Sequence, residues 1–355
     1  MVSSDPDILF ERRGVAGLVT LNRPKALNAV TLDMVRALAA QLHAWVGDAG
    51  VSRVVVSAAG NRAFSAGGDI RALYDMGRAG RHSDMLRFWR EEYTLNALIK
   101  RYPKPYVSLI DGIVMGGGVG LSVHGSHRIA GDRYQFAMPE VSIGFFPDVG
   151  ATWFLPRLPG ELGAYCALTG ERLKAVDAVK ATLATHRVRS QHFAELREAL
   201  CTDVDVDAVL APFTEPLVET PFVAHRGAID RLFHGEQVEH ILAALDDKAR
   251  SAGVDSEFAR VTAATIRAKS PTSAKLALAQ VRAGHSLSFG ACMNTEFRIV
   301  SRIIHGHDFY EGVRAVIVDK DNAPRWQPDT LNAVTRTDIN LHFAPLADGH
   351  ELSLP

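Results

Sequence analysis

Two carboxylates stand eight residues apart in an apolar run, Met138-Pro139-Glu140-Val141-Ser142-Ile143-Gly144-Phe145-Phe146-Pro147-Asp148. Burial among Ile143, Phe145 and Phe146 penalises the charged form of Glu140. Its pKa then rises toward the range that suits proton transfer. Asp148 either shares that pocket or caps a helix beginning near Val149. A further acidic pair, Glu91-Glu92, lies in a helical run. Neighbouring side chains on a helix diverge, so one of the two can face a pocket while the other meets solvent.

Two glycine-rich segments offer backbone chemistry instead. Met115-Gly116-Gly117-Gly118-Val119-Gly120-Leu121 follows a strand and opens a helix. No Gly-Lys-Ser/Thr follows it, so it is not a phosphate-binding P-loop. The dinucleotide fingerprint would need a third glycine where Leu121 stands. What remains is either bare N–H groups aimed at a ligand or close packing of a helix on a sheet. The second segment is Ala63-Phe64-Ser65-Ala66-Gly67-Gly68-Asp69-Ile70. If its N–H groups converge with that of Gly117, the two form an oxyanion hole for charge developing on a carbonyl oxygen. Asp69 is a helix cap or a catalytic group.

Other chemistries are disfavoured. Of 14 histidines only His124/His127 and His305/His307 are close pairs, and neither has a carboxylate or cysteine at ligand spacing. No metal site is expected. No Gly-x-Ser-x-Gly elbow anchors a serine-hydrolase triad. Three scattered cysteines suit neither a disulfide framework nor a zinc site, and fit a reducing compartment. With 39 basic and 40 acidic residues, the net charge of −1 argues against nucleic-acid binding and an anionic membrane surface. The N-terminus, Met-Val-Ser-Ser-Asp-Pro-Asp, resembles no export or mitochondrial leader, and no apolar run is long enough to span a membrane. A cytoplasmic protein is expected.

The elements that must position these residues alternate. Ile8 to Arg12 and Val15 to Leu21 read as a hairpin about Gly14. Thr31 should cap a helix whose Met34, Val35, Leu38, Ala39, Leu42 and Trp45 recur at helical spacing. Strands are expected at 51–58, 107–110, 128–130 and 135–138, with a helix over 84–100. Beyond residue 190, helices are expected at 190–200, 224–247, 256–269, 272–284 and 290–304, punctuated by Pro212, Pro216, Pro221 and Pro271. The tail after Trp326 is polar and aperiodic. This is an α/β layered core with parallel strands, residues 1–195, followed by a mostly helical region, 196–355.

Four segments in order resemble the crotonase (enoyl-CoA hydratase/isomerase) superfamily. They are Leu21-Asn22-Arg23-Pro24-Lys25-Ala26-Leu27-Asn28-Ala29, Ala66 to Ile70, Asp111-Gly112 ahead of Gly116 to Gly118, and Met138-Pro139-Glu140. The resemblance implies a spiral of ββα units that binds acyl-CoA, with oxyanion-hole N–H groups from Gly68 and Gly117 and with Gly67 at the substrate. One position departs: hydratases of this superfamily carry a glutamate where this chain has Gly120, whereas their second glutamate matches Glu140. Phe88 to Tyr93, Ile143 to Gly150, Ser270 to Ser273, His307 to Ala315 and Asp319 to Asp321 are similar to the 3-hydroxyisobutyryl-CoA hydrolase family. That implies thioester hydrolysis in valine breakdown, with Glu92, Glu140 and Asp148 lining the acyl site. Glu140 would be the base or the nucleophile. Arg23 and Lys25, beside Ala26 in the loop the family uses for adenine, are candidates for the CoA phosphates, or ordinary surface charges. CoA is part of the substrate, and no separate cofactor is implied. A homo-oligomer is compatible, since superfamily members often form trimers or hexamers. The competing readings are a hydratase or isomerase, disfavoured by Gly120, and a non-catalytic acyl-CoA binder.

Overall fold

The computed structural model describes residues 6–220, 225–251, 253–347 and 349–354. Met1 to Asp5, Pro221 and the first residue of the helix expected over 224–247 lie outside them. The chain divides into two compact units interleaved along the sequence. One holds Met1–Asp69, Thr94–Phe136 and Arg172–Glu219; the other holds Ile70–Tyr93, Ala137–Glu171 and Thr220–Pro355. The division differs from the single boundary expected at 195/196: segments 70–93 and 137–171 group with the C-terminal helices.

In the first unit, β1 (Ile8–Arg13) and β2 (Ala16–Leu21) form the expected antiparallel hairpin. Helix α1 (Leu32–Gly47) starts where Thr31 accepts a bond from the Met34 N–H. Then come β3 (Arg53–Ala58), β4 (Ala63–Ser65), β5 (Tyr106–Ile110) and β6 (Ile113–Met115). Between β4 and β5 the chain forms helix α2 (Ile70–Arg78), which belongs to the second unit, and helix α3 (His82–Lys100), whose residues up to Tyr93 do so too. Helix α4 (Gly117–Gly120), β7 (His127–Ala130), β8 (Gln135–Ala137), β9 (Leu173–Lys174) and β10 (His186–Arg187) follow. One sheet runs β1-β2-β3-β5-β7-β10 and a second runs β4-β6-β8-β9. Each strand pair β3/β4, β5/β6 and β7/β8 therefore gives one strand to each sheet, which is the repeat of a ββα spiral. From β2 to β10 neighbours in the larger sheet are parallel. Parallel sheets are covered on both faces, and Val54, Val55 and Val56 are accordingly all buried. Register places Leu18 beside Val55, Val55 beside Val107 and Leu109 beside Ile129. That face packs with Leu196, Leu200, Val206 and Val209 into one core.

The second unit is helical. Ser270 caps the helix Pro271–Gly284, with proline at its tolerated first position. Ser288 caps the helix Phe289–Ile303. The helix expected over 224–247 is two, Arg226–Leu232 and Val238–Arg250. The tail expected to be aperiodic contains the helix Arg336–Phe343, opened by a reciprocal box between Thr335 and Asp338. Trp89 stacks on Phe145 at 5.5 Å, and Phe145 meets Phe146 at 4.6 Å and Phe309 at 5.7 Å. Among the described residues no helix is long and apolar enough to cross a membrane.

Candidate active site

Besides Asp308, the helical unit holds four buried carboxyls among the described residues. Glu92 is on α3, Glu140 opens a short 3₁₀ turn directly after Pro139, Asp148 sits in the following loop, and Glu296 is on the helix Phe289–Ile303. Glu91, beside Glu92, is only half-buried. Desolvation dominates all four. It lifts Glu92 well above the carboxylate range, with the charges of Asp148 and Glu296 adding to it. It lifts Glu140 likewise, with Asp148 adding to it. Asp148 is pushed up to about 7 by burial, held back by the Tyr93 hydroxyl and its own backbone. Glu296 is pushed up to about 8 by burial, opposed chiefly by the Gly150 N–H. One oxygen of Glu92 and one of Glu140 are buried with no hydrogen-bond partner among the described residues. Buried polar atoms are normally paired. Two acids left so, with pKa values raised by desolvation, can exchange protons and hydrogen bonds with a bound molecule.

The loop that carries Asp148 is held from three sides. The Tyr93 hydroxyl donates to Asp148 Oδ2 at 2.9 Å. Gln280 Nε2 donates to the Pro147 carbonyl. Glu296 accepts from the Gly150 N–H at 2.7 Å and the Thr152 N–H at 2.8 Å. Asp148 is thus not the helix cap that the sequence left open. The helix Ala151–Phe154 starts after Gly150, which has no side chain to cap it.

The glycine segments belong to the sheet unit. Gly67 has φ of 108°, and a Cβ there would lie 3.3 Å from the Met115 carbonyl and 3.5 Å from the Gly117 nitrogen. The two segments therefore abut, and a side chain at Gly67 would press on the Met115 carbonyl. The N–H groups around Gly68 are spoken for. Ala66 donates to Leu27, Gly67 to the Ser65 hydroxyl and Asp69 to Val30. Gly68 forms a bridge with Val30, in which the bonds run through Gly67 and Asp69, and its own N–H meets no acceptor among the described residues. Gly117 opens α4, where the first N–H groups of any helix lack intrahelical acceptors. Gly118 does the packing, since a Cβ there would stand 2.6 Å from the Ser65 carbonyl. Close packing within the triplet thus falls on Gly118, and Gly117 stands at the helix start.

The profile of the enoyl-CoA hydratase/isomerase family matches residues 16–343. The chain belongs to the enoyl-CoA hydratase/isomerase family. It is 46% identical to "3-hydroxyisobutyryl-CoA hydrolase, mitochondrial" of Danio rerio, over 98% of this chain and 92% of that protein. It is 43% identical to the Homo sapiens protein of the same name, over 96% and 89%. Among solved structures it is similar to a carnitinyl-CoA dehydratase from Mycobacterium thermoresistibile, with a TM-score of 0.92, 41% identity, and 98% and 99% of the two chains covered. An enoyl-CoA hydratase from Rhodobacter sphaeroides gives 0.90 and 38%, over 98% and 100%. The names of these relatives differ in the reaction they assert. They also correct the cytoplasmic expectation: the vertebrate relatives, 42 to 46% identical, are all named mitochondrial.

In this member of the family, Gly120 is buried in α4 at the position where hydratases carry a glutamate. Arg23 is committed internally. It donates to the Ala29 carbonyl at 2.7 Å, pairs with Asp69 at 3.2 Å and lies 3.3 Å from Asp7. Lys25 and Ala26 are exposed on the turn Pro24–Ala26. The C-terminal segments of the resemblance are structural knots. Ser270 donates to Asp308, and Arg314 binds Glu311, Asp319 and Asp321. Sequence reasoning missed Tyr93, Gln280 and Glu296. Glu296 had a signal: it is an acid on the apolar face formed by Cys292, Met293, Phe297 and Val300.

Proposed function

We propose that the chain hydrolyses the thioester of 3-hydroxyisobutyryl-CoA to 3-hydroxyisobutyrate and CoA, a step of valine breakdown. The carrying observation is the pattern of acids. Glu92, Glu140 and Asp148 are buried together in the helical unit, while the other hydratase glutamate is replaced by Gly120. Hydration in the hydratase manner uses two carboxylates on one water. Thioester hydrolysis needs one base or nucleophile and a stabilised oxyanion. The names of the curated relatives support the same reading.

The family resemblance implies that the N–H groups of Gly68 and Gly117 receive the thioester oxygen as it gains negative charge. Glu140 removes a proton from water as water attacks the carbonyl, or attacks it directly to form a mixed anhydride that water opens. The thiolate of CoA leaves and takes a proton. Asp148 orients water or binds the substrate hydroxyl. Glu92 hydrogen-bonds that hydroxyl, and its raised pKa lets it serve as donor. Polar groups built to meet a hydroxyl are left unpaired by an analogue that lacks one, which supplies specificity. Exposed Lys25, beside Ala26, meets the CoA phosphates; Arg23, already paired, shapes the loop.

The test follows thiol release from (S)-3-hydroxyisobutyryl-CoA, isobutyryl-CoA and crotonyl-CoA. Fast release from the first alone supports the reading. Hydration of crotonyl-CoA without thiol release would replace it with the hydratase reaction named for the Rhodobacter sphaeroides relative, and binding without turnover would make the chain an acyl-CoA binder.

A further inference from the structure

Asp148 stands two residues ahead of Gly150, the residue that precedes the helix Ala151–Phe154. An aspartate so placed is ordinarily drawn to cap the helix, because the first N–H groups there have no intrahelical acceptor and favour negative charge. In this chain another residue does that work. The carboxylate of Glu296, 148 positions further along the chain, accepts from both Gly150 and Thr152. Glu296 is fully buried on the helix Phe289–Ile303. It makes no ion pair among the described residues, and both of its oxygens are spent on that one turn of backbone. The backbone needs the help. Val149 has φ of 54° and Gly150 φ of 91°, and a β-branched residue in the left-handed region is strained and persists there only where its surroundings impose it. The Asp148 side chain, relieved of capping, receives the Tyr93 hydroxyl.

We propose that Glu296 is a positioning residue for the reaction: by capping the turn after Asp148 from a distant helix, it frees the Asp148 carboxylate and holds it in its working orientation. Gln280 on the Pro147 carbonyl is the second strut of the same turn. Glu296 touches no reacting atom and acts only through Asp148. The proposal rests on the reading of Asp148 as part of the acyl site.

The substitution Glu296→Gln keeps the shape and removes half the function of the ionised form, since an amide can accept from one N–H but meets the other with its own NH₂. The comparison is therefore made above about pH 8, where Glu296 is ionised. The expected result is a fall of about 10- to 100-fold in kcat with KM within about threefold. The deciding measurement repeats Glu296→Gln in an Asp148→Asn background, by single-turnover thiol release with enzyme in excess. If Glu296 works through Asp148, it costs nothing further there. An equal loss in both backgrounds makes Glu296 merely structural and overturns the proposal. Should Glu296→Gln fail to fold, Gln280→Leu loosens the other end of the turn without a change of charge and must show the same loss in the wild-type background only. Failure of the underlying reading is distinct: Asp148→Asn alone would then turn over normally.

Discussion

Tyr93 and Asp148 show how one hydrogen bond sets a titration. Burial pushes Asp148 up to about 7, and the Tyr93 hydroxyl, donating at 2.9 Å, pulls it down. Removing that donor in Tyr93→Phe leaves the anion less supported, so its pKa rises further. If ionised Asp148 is the working form, the acid limb of kcat/KM moves to higher pH in the variant. An unmoved limb would show that Asp148 does not act as an anion. Glu140→Gln should lower turnover by ~100- to 10,000-fold, the range for a lost general base, with the thermal midpoint close to that of the parent. Near-normal turnover would remove Glu140 from the mechanism. Glu140 and Asp148 were legible because acids beside Phe145 and Phe146 have few ways to be solvated, whereas Glu92 was singled out of its pair only by the family resemblance. Their partners were not, because Tyr93 and Glu296 read as ordinary helix residues until folding aims them.

Among the elements, the glycine triplet divides its labour. A methyl at Gly118 would press on the Ser65 carbonyl at 2.6 Å and the Ser65 Cβ at 2.7 Å, both of which belong to a strand and cannot swing aside. Gly118→Ala should therefore cost ~1–3 kcal/mol, read from the urea midpoint. A stability equal to the parent's would mean that α4 is free to shift. The hairpin, α1 and the parallel strands could be read from hydrophobic spacing, since those elements bury a periodic face. The helix Arg336–Phe343 was missed although Thr335 and Asp338 carry the capping pattern, because its apolar stripe is reduced to little more than Ile339. The run 224–247 breaks at Phe233-His234-Gly235, where a glycine-bearing turn outweighs the helical periodicity on either side.

For the whole molecule, four buried acids make stability depend on pH in an unusual sense. Carboxyls with raised folded pKa values are more protonated folded than unfolded. Their stabilising share is complete below the unfolded values, 3.8 for aspartate and 4.5 for glutamate, and is lost as pH rises through about 7 for Asp148 and about 8 for Glu296. The urea midpoint should fall between about pH 5 and about pH 8. Glu92→Gln, which removes one titrating group, should flatten that slope. A midpoint that climbs over the same range would contradict the protonation assigned here.

Local chemistry carried much of this protein in plain sight. Alternating elements, glycines where backbone must come close, and acids set among aromatics follow from short-range sterics and solvation, so they can be read from neighbours in the chain. Folding decided what depends on residues far apart in it. Two units are assembled from interleaved segments. Glu296 reaches back 148 positions to hold the turn at Asp148. Arg23 is bonded to Asp69 and to the Ala29 carbonyl, neither of which its neighbours in the chain foretell. A hydrogen bond selects its partner by distance and angle in space, and spacing along the chain holds no record of either.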